Sequence, residues 1–132
     1  MIAALRLEGI CAKMTVRGGV KGKDFRRFVL QRLVPALRPG DVIAWDNLAL
    51  HKNRELHAAI AAAGATVMML PKYSPDLNPI EAGWAKVKRW MRRVVTEDVR
   101  SLRTAMRRGL DRIRPSDAAG WFTYCGFSLP LP

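Results

Sequence analysis

Residues Asp41–Leu70, DVIAWDNLALHKNRELHAAIAAAGATVMML, decide the fold class. DVIAWD (41–46) is a short apolar run that ends in an acid, and ATVMML (65–70) is a second apolar run. Between them NRELHAAIAAAG (53–64) reads as a helix, with Asn53 as N-cap, Leu56 and Ile60 facing inward and Gly64 as the stop. Strand, helix, strand over a short connection predicts a right-handed βαβ unit. Its second strand should be buried on both faces, as parallel strands are.

Upstream, residues 1–17 alternate apolar and polar around Glu8-Gly9, which predicts a β-hairpin. RGGVKGKD (17–24) is a loop, with Asp24 as the cap of a helix that buries Phe25, Phe28, Val29, Leu33 and the stem of Arg32 until Pro39-Gly40 ends it. Downstream of Pro79, the residues Ile80, Trp84, Val87, Met91 and Val94 form an apolar helical stripe. A second helix is predicted over 97–113, burying Val99, Leu102, Met106, Leu110 and Ile113, with Glu97 and Asp98 favourable in its first turn. A short last helix capped by Ser116 follows. The order β-β-α-β-α-β-α-α gives an α/β class, a mixed sheet with flanking helices. It forms a single domain in three zones: hairpin and helix 1–38, βαβ unit 41–70 and a basic helical part 79–127.

Composition narrows the function classes. At 132 residues the chain has the length of one domain with a real core. No apolar run is long enough to span a bilayer, and MIAALRLEG lacks a signal-peptide pattern. Cys11 and Cys125 stand far apart without a CxxC pair, which argues against a disulfide framework or zinc ribbon and for a reducing, cytoplasmic setting. Lys and Arg number 23 against 11 Asp and Glu, a net charge of +12. Residues 86–114 alone hold eleven Lys/Arg and three acids. Such a balance points to a polyanionic partner, nucleic acid before membrane; a solvated basic surface is the bland alternative.

Two acids are candidates for chemistry. Asp46 ends an inner strand, where open α/β sheets place their ligands, although a strand-end Asp can equally bond the loop amides of Asn47–Leu48. His51 and Lys52 share its loop. Glu81 follows LPKYSPDLNPI (70–80), in which Asn78 and Pro79 are favoured at N-cap and N1, so Glu81 at N3 fits a capping box. Against that, Lys88 and Arg92 share the Glu81 face of the helix, flanked by Lys86, Arg89 and Arg93. Both acids also fall at the same sheet edge, and hard divalent cations take carboxylate oxygens.

WDNLALHK (45–52), the 34 residues between Asp46 and Glu81, and LPKYSPDLNPIEAGWAKVKRW (70–90) resemble the catalytic domain of DDE transposases, in the Tc/mariner superfamily and its bacterial insertion-sequence relatives. The resemblance covers nearly the whole chain. It implies an RNase H-like fold, Mg²⁺ or Mn²⁺ as the working ion, and DNA cleavage followed by strand transfer. By position Asp46 is the second acid of the triad and Glu81 the third, each a metal ligand. Asn47, His51 and Lys52 match the loop after the second acid, and Tyr73, Ser74, Pro75, Asp76, Asn78 and Pro79 the turn before the third. With Lys72, Lys88, Arg89, Arg92 and Arg93, the loop residues Asn47, His51 and Lys52 make up the expected nucleic-acid contacts.

In the family the first acid lies on a strand before the hairpin, and Glu8, Asp24 and Asp41 do not replace it. The expected form is therefore an N-terminally truncated domain without the first central strand, leaving an unpaired sheet edge. It would hold an incomplete two-metal site and be inactive alone. Expected partners are DNA, a separate N-terminal segment supplying the missing acid and the DNA-recognition domain, and a second copy as a homodimer. The expected location is the bacterial cytoplasm, with the nucleoid when DNA is bound. The competing classes are a non-catalytic DNA-binding or assembly module, a decayed transposase remnant, and another RNase H-like nuclease.

Overall fold

The computed structural model describes residues 1–94 and 99–129. Two compact units divide the chain: Met1–Ala4 with Cys11–Asn78, and Leu5–Ile10 with Pro79–Pro132. The α/β class is as expected. Strands β1 (Ile2–Arg6) and β2 (Gly9–Met14) pair around the Leu7-Glu8 turn. Strands β3 (Val42–Trp45) and β4 (Thr66–Met69) run parallel, with Val42 opposite Thr66 and Trp45 opposite Met69. No ladder joins the two pairs among the described residues, so the four strands form two two-stranded sheets.

In the first unit, helix α1 (Gly22–Phe28) runs on through a π-helical turn, Val29–Leu33, into a 3₁₀ turn, Val34–Ala36. Asp24 does not occupy the cap. It sits three residues in, where its carboxylate accepts the Lys21 N–H at 3.0 Å, because the residue ahead of the helix offers no short oxygen-bearing side chain. Helix α2 (Arg54–Ala62) does start at Asn53, whose Oδ1 accepts the N–H groups of Glu55 at 2.9 Å and Leu56 at 3.4 Å. Gly64 closes α2 at φ +81°, a backbone state that favours glycine. Phe25, Phe28, Val29 and Leu33 meet Ala12 and Met14 of β2, Trp45 of β3 and Leu56 and Ile60 of α2 in one apolar core. Strand β4 departs from expectation. Thr66 and Met68 are exposed while Val67 and Met69 are half-buried, so only one face is covered; burial of both faces needs helices on each side.

The second unit is helical: α3 (Pro79–Met91), α4 (Val99–Asp111) and α5 (Pro115–Tyr124). The predicted first turn of α4, with Glu97 and Asp98, lies outside the described residues. In α3 Val87 is buried and Ile80, Trp84 and Met91 are half-buried, whereas Val94 follows the helix in an exposed turn. Leu102 is also exposed, and the close contact of α4 with α3 is made at Gly109, beside Val87 and Trp90. Ser116 lies inside α5 and does not cap it; Asp117 accepts the Arg114 N–H at 2.8 Å instead. Lys86 of α3 also pairs with Asp117, and this bond, with the Arg114 amide second, holds the Asp117 carboxyl below its ordinary range. No helix among the described residues is long and apolar enough to cross a membrane.

The α3–α4 seam depends on one missing methyl group. A Cβ at Gly109 would stand 2.8 Å from Val87 Cγ1 and 3.3 Å from Trp90 Cε3. Alanine gains about 1 kcal/mol of helix propensity over glycine, and overpacking costs about 1–3 kcal/mol. Because Val87 is β-branched and only 1 % exposed, it has little room to move, and Gly109→Ala is expected to destabilise by about 1–2 kcal/mol. Gly83→Ala meets Ile113 and Trp121 carbons only at 3.4–3.5 Å, so it should be neutral or stabilising. Urea unfolding of the two variants measures this difference in sign, and equal shifts would refute the close seam.

Candidate active site

Asp46 leaves the carboxyl end of β3 half-buried, and its main chain winds the loop that follows. Its carbonyl oxygen accepts the Leu48 N–H at 2.9 Å and a bond from His51 Nδ1. A carbonyl only accepts, so the His51 Nδ1–H is the donor in this bond. The His51 ring lies against Trp45, centroids 5.2 Å apart and 24° from parallel, and against Phe25 at 4.6 Å. His57 donates from Nε2 to the His51 carbonyl at 2.7 Å and also touches Trp45. The indole N–H of Trp45 meets Met69 Sδ at 2.9 Å. An apolar and aromatic bed thus fixes the start of the Asp46 loop.

The Asp46 carboxylate does not bond its own loop amides. Oδ1 accepts Asn78 Nδ2 at 3.1 Å. Asn78 is 8 % exposed, the one buried polar side chain among the described residues. Its position follows from local chemistry: the Asn78 N–H closes a 3₁₀ turn, Pro75–Leu77, on the Pro75 carbonyl at 3.1 Å. Pro79 disfavours helical backbone at the residue before it, and Asn78 is extended at φ −108°, ψ 104°. Earlier in this segment, fully exposed Tyr73 holds φ +56°, uncommon for any residue but glycine. The Asn78–Asp46 bond was missed in the sequence because the N-cap preference of Asn before Pro already explained the residue.

The remaining predicted residues divide between the units. Lys52 and Lys72 are exposed on the first, and Asn47 is half-buried there with its Oδ1 covered and unpartnered among the described residues. Glu81 is exposed in the first turn of α3, on the second unit. Lys88, Arg89, Arg92 and Arg93 are exposed at the end of α3 and in the turn after it, on the same unit. The other acids before Asp46 have places of their own. Asp24 serves Lys21, Asp41 accepts the Arg38 N–H at 2.8 Å, and Glu8 lies in the hairpin turn.

Oxygen donors of this kind suit a hard divalent cation. Asp46 keeps Oδ2 without a partner among the described residues, and the adjacent Asn47 Oδ1 is an orphaned carbonyl. Mg²⁺ is commonly held by one or two carboxylates with waters and substrate phosphates. The donor set fits in kind but not in number: no group of three or more His, Cys, Asp or Glu that could hold a metal forms among the described residues. DDE superfamily enzymes generally use divalent metals.

The family model described as DDE superfamily endonuclease matches residues 1–103, which include β1 through β4, both candidate acids and the start of α4. No curated protein matches the chain. With the α/β architecture and Asp46 at the carboxyl end of a parallel strand, that match identifies the chain as a member of the DDE superfamily endonucleases, a transposase-type domain.

Proposed function

We propose that this chain is part of a transposase catalytic domain of the Tc/mariner type, one that hydrolyses a DNA phosphodiester and then joins the freed 3′-hydroxyl to target DNA. The observation that carries the reading is the match over residues 1–103, in which Asp46 and Glu81 stand with 34 residues between them. Asp46 and Glu81 would hold Mg²⁺ or Mn²⁺; once bound, such a cation supplies Lewis-acid polarisation of a phosphoryl oxygen. Lys52, Lys72, Lys88, Arg89, Arg92 and Arg93 would grip the phosphate backbone, where Arg forks an anion bidentately and Lys acts as a point charge. A separate N-terminal segment would bring the first acid on a strand, and the intact enzyme would also pair with a second copy. On this reading the whole chain belongs to one RNase H-like domain, and alone it gives little or no strand transfer.

The exposed basic residues at the end of α3 favour a second reading, a DNA-binding module without catalysis. Either reading calls for backbone contacts. If Lys88, Arg89, Arg92 and Arg93 each neutralise one phosphate, they contribute a log–log slope of about −3.6, about a hundredfold loss of duplex affinity between 50 and 200 mM salt. Fluorescence anisotropy on duplex DNA measures this slope. Replacing all four by glutamine should flatten it by that amount, and salt-independent binding would refute the basic ridge. The readings part on Mg²⁺-dependent joining of element ends. Joining only when the N-terminal segment is added supports the catalytic reading; joining by the chain alone contradicts the incomplete site. No joining in either case supports the binding module.

A further inference from the structure

We infer that Asn78 is a positioning residue for Asp46: it occupies Oδ1 and so fixes Oδ2 as the oxygen presented to a ligand. The inference rests on the metal reading of Asp46 above and adds to it a residue whose obvious role was to start a helix. A buried polar side chain persists where its bonds are made, and Asn78 alone among the described residues combines polarity with burial. Its amide donates to Asp46 Oδ1 at 3.1 Å, across 32 positions of sequence.

Both ends of that bond are held. The Asn78 backbone is set by the turn from Pro75 and by Pro79, and the Asp46 main chain by the bonds from Leu48 and His51. The carboxylate therefore has one oxygen tied to a stationary donor and little freedom to rotate. The chemistry of the donor matters as much as its place. A lysine or arginine there would orient the carboxylate but cancel its charge, whereas a neutral amide orients it and leaves the full negative charge for a cation. A primary amide also keeps its N–H groups across the whole working pH range, so the orientation does not titrate from the Asn78 side.

Mn²⁺ alone is the probe, titrated into the full chain and followed by the electron paramagnetic resonance of the free ion. The variants are Asp46→Ala, Asn78→Ala and Asn78→Ser. Serine is as good an N-cap as asparagine, but its shorter side chain does not reach Asp46, so Asn78→Ser separates capping from positioning. Circular dichroism melts identify a variant that fails to fold, and Asn78→Ser is the one expected to melt like the parent. The expected result is Mn²⁺ binding by the parent chain, its loss in Asp46→Ala, and a 10–100-fold weakening in Asn78→Ser. Parental affinity in a folded Asn78→Ser, with binding still abolished in Asp46→Ala, would overturn the positioning role and leave the metal reading standing. Equal behaviour of the parent and Asp46→Ala would overturn the metal reading itself, and with it any oxygen for Asn78 to orient.

Discussion

If the proposed transposase reading holds, Asp46→Ala or Glu81→Ala in the cleavage-competent assembly is expected to lower DNA cleavage about a thousandfold or more. Removing one carboxylate from a cation site forfeits several kcal/mol of transition-state charge stabilisation, and each 1.36 kcal/mol is a factor of ten in rate. Duplex affinity should stay within about twofold, because the proposed backbone contacts are assigned to other residues. Single-turnover cleavage of labelled element ends, beside anisotropy on the same DNA, separates the two quantities. The two acids should also be grossly non-additive, the double variant losing little more than either single one, since groups that act as a unit fail as a unit. Retained cleavage in either single variant would remove that acid from the active site.

Trp45→Ala is expected to destabilise the chain by about 3–5 kcal/mol, the usual range for emptying a buried aromatic site. Trp45 is 7 % exposed and its ring contacts Phe25, His51 and His57, while its N–H is directed at Met69 across the β3–β4 pair. Alanine would leave a cavity on the core side and strip the His51 ring of its stacking partner. Because His51 also bonds the Asp46 carbonyl, the damage should reach the site. Trp45→Phe keeps a ring but loses the N–H donor, and should cost markedly less. Denaturant unfolding followed by circular dichroism gives both numbers; similar losses for the two would show that packing of the ring is not what Trp45 contributes.

Local grammar made much of this architecture readable from the sequence. Asn53 and Gly64 bracket α2 as their cap preferences require, and the acid after VIAW emerges at the carboxyl end of a parallel strand. What escaped was tertiary. Whether β4 is covered on one face or two depends on what packs outside it, and TVMM reads the same in either case. Asp24 and Asp117 each accept an amide three residues back, one half of a capping box, which a search for cap residues alone does not find. The amide of Asn78 reaches Asp46 over a separation that no periodicity spans.

Strand β3 carries no charge along Val42–Trp45, nor does β4 along Thr66–Met69, and in a two-stranded sheet each keeps one edge without a strand partner among the described residues. Such edges invite association between copies, a second-order process that grows with concentration. Two features oppose it: the strands are only four residues long, and Asp41 and Asp46 flank β3 as gatekeepers. On that argument Asp46 would protect solubility as well as serve the proposed site. A neutral replacement at this position lengthens the uncharged run into Asn47 and should lower the concentration at which the protein stays monodisperse, whatever it does to catalysis.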